Sequence, residues 1–336
     1  MTLSTRLLAA ALLLAAVPAF ADNRPAGDSK LFAPVPAPGY PEGIAVRGHR
    51  AYVAGPAAFG LTAAPVVFEY NTDTGALTRQ FPITISNPFA GIRAASCLAF
   101  GHDNKLYVIE PFVGIIRMNL DNANTQSVYA TFPPSQNSLL NDLAFDSKGN
   151  LYVTDSFAGI IYKVPAGGGA AQVWFQDTRL LGNPQFPFGV NGIRIDKQGK
   201  RLYFSVTVRN DFSGAIYSLP LGNAPTAAQL TEVHVYPSTQ ATPLPAPDGI
   251  AFAHNNKLYV TLAGSSQISV LNAAGNEIRL YSAPANGVIW ANPANIAFDD
   301  EHDRILVTNH ASLVPFDPSL FLVFDVAVKD KGLQIP

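Results

Sequence analysis

The stretch Asn141-Asp-Leu-Ala-Phe-Asp-Ser-Lys-Gly-Asn-Leu-Tyr-Val153 decides how the rest of the chain is read. Leu143 and Phe145 alternate with smaller or polar residues, the period of a strand with one buried face. Asp146 to Asn150 forms a turn segment, because Asp, Gly and Asn accept turn geometry at low cost. Leu151-Tyr-Val153 then opens a second strand, so the unit is a β-hairpin. The phrase recurs as Glu42-Gly-Ile-Ala-Val before Ala51-Tyr-Val and as Ser96-Cys-Leu-Ala-Phe before Leu106-Tyr-Val. It returns as Asn191-Gly-Ile-Arg-Ile before Leu202-Tyr-Phe, Asp248-Gly-Ile-Ala-Phe before Leu258-Tyr-Val, and Ala294-Asn-Ile-Ala-Phe before Ile305-Leu-Val.

Six copies at intervals of 45 to 57 residues, followed by further strands such as 160–164, 215–219 and 267–271, predict an all-β six-bladed β-propeller. Uneven spacing disfavours a β-solenoid, and six hairpin units are too many for one sandwich. The segment 320–328 is expected to supply a late strand of the last blade. Residues 30–33 are expected to pair beside it and close the ring, leaving no exposed edge.

A charged fraction of 14% and a net charge of -2 provide no basic stripe for phosphates, so nucleic acid is not an expected partner. At the N-terminus, Arg6, the apolar run Leu7 to Val17 and Ala19-Phe20-Ala21 read as a signal peptide cleaved after Ala21. An uncleaved anchor is the alternative. The expectation is therefore an exported protein, periplasmic or secreted, with residues 22–336 as a single propeller domain and no membrane span after cleavage. Cys97 is the only cysteine, so no intramolecular disulfide forms. It lies in an apolar run and reads as a buried structural thiol.

In a propeller the first strand of each blade lines the central channel, so equivalent repeat positions meet near the axis. The leading position reads Glu42, Ser96, Asn141, Asn191, Asp248 and Ala294. Oxygen donors occupying Glu42, Asn141, Asn191 and Asp248 at an otherwise apolar axis are costly unless something satisfies them. A hard divalent cation does so, with Glu42, Asn141, Asn191 and Asp248 as ligands. Oxygen-only ligation favours Ca2+, with Mg2+, Mn2+ or Zn2+ as lesser options. Taken singly, each of these residues would be read as starting a strand or making a turn. Ser96 and Asn295 are candidate substrate contacts beside them, and Asn141 is a candidate for both roles.

The second strand returns to the same end of the channel. Residues just after it, Glu110, Asp155 with Ser156, Arg209 to Asp211, and Asn309-His310, are expected at the rim. Asp155 is a candidate substrate contact or a loop brace. His310 is the one histidine with a route to the site. His49, His102, His254 and His302 fall in far-end turns, and His234 in an alternating strand.

The segments Pro41-Glu42-Gly, Leu140-Asn141-Asp, Val190-Asn191-Gly and Pro247-Asp248-Gly, with Leu151-Tyr-Val-Thr-Asp-Ser156, resemble the SMP-30/gluconolactonase/luciferin-regenerating-enzyme family. Paraoxonases and strictosidine-synthase-like proteins are more distant likenesses. The resemblance implies a catalytic divalent ion held by Glu42, Asn191 and Asp248, with Asn141 on metal or substrate and Asp248 as candidate base. It also implies lactone hydrolysis. Ser96 stands where paraoxonase-type proteins carry a histidine, so a histidine dyad is not implied. Arg93 and Arg209 are the candidate sugar-binding arginines, and Phe59, Phe112, Phe157 and Phe188 hint at a hydrophobic substrate.

The resulting expectation is a metal-dependent hydrolase of a lactone or related ester, acting on a small molecule and monomeric. The ion would polarise the carbonyl and lower the pKa of a bound water, whose proton passes to Asp248 or, failing that, Glu42 or His310. The alternatives are a non-enzymatic binding propeller with a structural calcium, and a lyase on the same scaffold.

Overall fold

The computed structural model describes residues 24–58, 61, 63–85, 94–121, 123–134, 137–285 and 287–333. The expected leader, Phe59 and Arg93 lie outside them. Six sheets of hydrogen-bonded neighbours follow one another along the chain as six propeller blades, antiparallel throughout except where the short strand Gly169–Ala170 adds in parallel to the edge of the second. The first blade runs Ile44–Arg47, Arg50–Gly55, Val66–Asn71 and Leu77–Pro82. The third runs Leu140–Phe145, Leu151–Asp155, Ile160–Val164 and Gln172–Gln176. The sixth is built from Pro293–Asp299, Arg304–Asn309 and Leu322–Ala327. Its outer strand is Ser29–Pro34 from the other end of the chain, pairing Leu31 with Phe324 and Ala33 with Val323. This is the closure expected near residues 30–33. No helix among the described residues is long and apolar enough to cross a membrane.

The apolar-aromatic phrase holds neighbouring blades together. The second-strand tyrosine of one blade meets the first-strand phenylalanine of the next edge to face, the geometry preferred by aromatic quadrupoles. Tyr52 and Phe100 are 5.2 Å apart, Tyr107 and Phe145 4.9 Å, Tyr203 and Phe252 5.0 Å, Tyr259 and Phe298 5.2 Å. The core is accordingly a set of clusters between successive blades, such as Tyr107, Ile109 and Ile115 against Leu143, Phe145 and Val153. Another sets Ile44, Val53 and Phe68 against Leu306, Val323 and Ala33 across the closing seam.

The first strands of the third to sixth blades carry an irregularity that matters for the channel. In the third blade Leu140 pairs with Asp155 and Leu143 with Val153, so Asn141 and Asp142 together oppose Thr154. The fourth, fifth and sixth blades repeat this, with register shifts between Val190 and Ile193, Pro247 and Ile250, and Pro293 and Ile296. Such bulges bend a strand and re-aim its side chains. They fall on the leading residues of the repeat.

Candidate metal centre

The backbone carbonyl of every leading residue is fixed by the blade before it. Thr154 Oγ1 donates to Asn191 O at 2.8 Å and Ser205 Oγ to Asp248 O at 2.6 Å. Thr261 Oγ1 donates to Ala294 O at 2.8 Å, and Thr308 Oγ1 to Glu42 O at 2.6 Å. These four hydroxyls are the single residues facing the four bulges. At the remaining two junctions, where Ala54 and Ile109 have no hydroxyl to give, a backbone amide substitutes. Gly43 N–H donates to Ser96 O and Cys97 N–H to Asn141 O, both at 3.2 Å. The leading residues are thereby stitched into one ring.

Glycines make the ring tight. A Cβ on Gly192 would stand 2.4 Å from Asp248 O, and one on Gly249 2.5 Å from Ala294 O. These Asn-Gly and Asp-Gly pairs are therefore sites of close backbone approach between inner strands.

Within the ring, Glu42 is buried and Asp248 partly so. Burial, then the charges of Asp248 and Asp142, push the Glu42 carboxyl well above its ordinary range. Burial and Asp142 push Asp248 up to about 8, against a hydrogen bond from Asn191 that pulls it down. Asp248 Oδ1 is covered and has no hydrogen-bond partner, and the same holds for Asn141 Oδ1. The orientation of that amide follows from its neighbour. Ser156 gives its proton to Val190 O at 2.7 Å, so it can only accept from Asn141 Nδ2, at 3.1 Å. Asn191 Nδ2 donates to Thr207 Oγ1 at 3.0 Å. No group of three or more His, Cys, Asp or Glu side chains is arranged to hold a metal among the described residues. The oxygen set here is two carboxylates and two amides, and its crowded carboxylates and partnerless Oδ1 atoms fit a hard cation.

Cys97 is buried, as expected of a structural thiol, and accepts from Asn295 Nδ2 at 3.0 Å. The same Asn295 side chain receives Ile296 N–H on its Oδ1 at 2.8 Å, so both ends of the amide have partners within the protein. Ser96 Oγ is buried in the ring and donates to Leu140 O at 3.2 Å. Asp155 is a loop brace: it accepts from Ser138 Oγ at 2.6 Å, Leu139 N at 2.9 Å and Ala158 N at 3.1 Å. Asn309 is likewise claimed by its loop: its Oδ1 accepts Ala291 N–H and its Nδ2 donates to Leu320 O. Arg209 reaches outward to Glu232, 3.1 Å away. Phe157 and Phe188 pack edge to face at 5.4 Å between adjoining loops.

His310 reaches the ring. Its Nε2 lies 3.6 Å from Glu42 Oε2 and 2.7 Å from Ala57 O. A carbonyl only accepts, so Nε2 carries the proton. Burial lowers this imidazole to about 4, which keeps it neutral near pH 7.

The sequence profile of the SMP-30/Gluconolactonase/LRE-like region matches residues 64–311. The chain belongs to this family. The matched residues of this SMP-30/gluconolactonase family member hold the part of the ring from Ser96 to Asn295, while Glu42 precedes them. A diisopropyl-fluorophosphatase from Loligo vulgaris is 24% identical over 237 residues, 67% of this chain and 70% of that protein. Among solved structures, a calcium-binding regucalcin from Agrobacterium tumefaciens superposes with a TM-score of 0.67 at 18% identity, covering 92% of this chain and 96% of that one. A gluconolactonase from Xanthomonas campestris gives 0.60 at 15% identity, covering 91% and 99%. At these identities the structural likeness speaks for the propeller itself. Family membership and the fluorophosphatase relative support a hydrolase of the lactone or ester kind.

The sequence reasoning missed Asp142 and Arg194, which sit one layer below the leading residues. Arg194 Nη1 is 2.7 Å from Asp142 Oδ2, and Asp142 also receives Ile193 N–H at 3.0 Å.

Proposed function

We propose that this propeller is an exported, monomeric, divalent-metal-dependent hydrolase of a lactone or related ester, with Ca2+ as the favoured ion. The observation that carries the reading is the pair of crowded carboxylates, Glu42 and Asp248, beside the partnerless Oδ1 atoms of Asn141 and Asp248. Glu42, Asn141, Asn191 and Asp248 would hold the cation. When bound, it supplies electrophilic polarisation of the carbonyl under attack.

The protein's own residues account for the remaining chemistry. Asp248, partly exposed, would take a proton from the attacking water. His310, neutral and with its Nε2 proton committed to Ala57 O, is a poor base near pH 7 and serves instead as a neighbour of Glu42. Asn141 and Asn191, held by Ser156 and Thr207, present preoriented amide oxygens and so cost little reorganisation.

The test is a panel of lactones and aryl esters assayed with calcium and after exhaustive EDTA treatment, alongside calorimetric titration of the metal. Hydrolysis that disappears with the metal and returns on its addition supports the reading. Hydrolysis unaffected by full metal removal overturns it. Calcium binding with no turnover on any ester favours a binding propeller with a structural ion.

A further inference from the structure

The fourth position of the repeated phrase is Ala45, Ala99, Ala144, Arg194, Ala251 and Ala297. Five blades place a methyl group there and one places a guanidinium. Ala45, Ala144, Ala251 and Ala297 line a cavity of about 500 Å3 at the end of the channel away from the leading residues, and Arg194 lines it too. The arginine side chain is only 12% exposed. Besides Asp142 in the third blade, its Nη2 lies 3.4 Å from Asn295 Oδ1 in the sixth. It thus crosses the axis, forming the floor of the oxygen ring and the roof of the far cavity.

This position has an electrostatic consequence. The buried Cys97 thiol feels Asp142, Glu42, Arg194 and Asp248 together, so these four charged groups share one small volume. Once a cation has displaced the protons of Glu42 and Asp248, three carboxylates against one guanidinium leave a deficit of two positive charges, the charge of a single divalent cation. A guanidinium does not deprotonate in proteins, so its contribution is fixed. Buried charges are also little screened by salt.

We infer that Arg194 sets the charge of the ion the channel accepts, by cancelling Asp142 and so matching the ring to a divalent cation in preference to a trivalent one. This rests on the metal reading above. It makes Arg194 and Asp142 positioning residues that act through the ring's charge and do not touch substrate.

The experiment measures Ca2+ binding by calorimetry and Tb3+ binding by sensitised luminescence on the purified protein and four variants. Arg194→Met adds one net negative charge and is expected to raise the Tb3+ over Ca2+ affinity ratio by about tenfold or more, as one unit charge in a low-dielectric site should. Asp142→Asn should lower the ratio by a similar factor. The double variant Arg194→Met/Asp142→Asn restores the net charge and should return the ratio to within about threefold of the starting value. Arg194→Lys keeps the charge and should keep the ratio. Removing one partner of a buried pair is destabilising. Should Arg194→Met not fold, Asp142→Asn and the double variant still decide. A ratio unchanged in Asp142→Asn, or not restored in the double variant, overturns the inference while the metal site stands. Failure of the unaltered protein to bind either ion overturns the metal reading itself.

Discussion

Thr308 Oγ1 donates to the backbone carbonyl of Glu42 at 2.6 Å, joining residues 266 positions apart across the seam where the last blade meets the first. The same hydroxyl accepts Asn295 N–H at 3.0 Å, so it serves both blades. Thr308→Val removes the bond but keeps the shape, leaving the Glu42 carbonyl buried without its donor. The expected cost is about 1–3 kcal/mol in chemical denaturation. Calcium affinity should fall several-fold as Glu42 loosens. Thr308→Ser should restore most of both, and a Val variant as stable and as avid as the parent would contradict the role given to this bond.

Glu42→Gln and Asp248→Asn separate the metal role from the folding role. Each removes a carboxylate whose ionised form burial and its neighbours disfavour. In EDTA, both variants should therefore melt at or above the parent's temperature. With calcium added, the parent should gain stability and the variants should not, because binding to the native state is what raises the melting point. Calcium affinity should drop about a hundredfold or more, as expected when a charged ligand to a hard ion is lost. Asp248→Asn should abolish ester hydrolysis. Thermal scans with and without calcium, calcium titrations and activity assays check these four outcomes.

The hairpin phrase made the propeller legible because a period-2 strand, a polar turn and a Leu-Tyr-Val strand are local properties. The ring closure by Ser29–Pro34 was legible for the same reason, an apolar strand awaiting an edge. The leading residues were readable as a set because circular symmetry turns a shared repeat position into spatial proximity. What escaped was anything set by contacts between blades. Thr154, Ser205, Thr261 and Thr308 look like ordinary strand residues until the bulges opposite them are seen. Asp155 and Asn309 sit at rim positions, yet their loops claim their oxygens. Arg194 did carry a signal, as the one long side chain at an alanine position, but only the channel gives that exception a meaning.

Gly192→Ala and Gly249→Ala test how closely the inner strands approach. The added methyl would meet a backbone carbonyl of the following blade at 2.4 and 2.5 Å respectively, and a carbonyl within a hydrogen-bonded ring cannot swing aside. Overpacking of this kind typically costs about 1–3 kcal/mol and here should reach or exceed the upper end. Gly167→Ala is the control for handling, since a methyl there meets nothing within 4 Å, although its φ of +95° adds backbone strain. Urea midpoints should rank Gly192→Ala and Gly249→Ala well below Gly167→Ala. Equal midpoints would mean that the inner strands have room to spare.

Asp248 predicts a pH dependence whose sign depends on the metal. Burial and the Asp142 charge raise its folded pKa to about 8, whereas an unfolded aspartate titrates near the ordinary 3.8. Between these values the metal-free folded protein holds a proton that the unfolded chain has released. Stability of the EDTA-treated protein should therefore be fully present below about pH 4 as far as this group is concerned, and decline as pH rises through about 8. Glu42, also raised, adds in the same direction. A cation must displace those protons, so apparent calcium affinity should climb from pH 5 to about 8 and then level, with proton release measurable in buffers of differing ionisation enthalpy. Urea denaturation in EDTA and calcium titrations over this range check both slopes. Metal-free stability that rises with pH across the window, or a calcium affinity flat between pH 5 and 8, would show that Asp248 is not the buried, proton-holding carboxylate of an oxygen-ligated site.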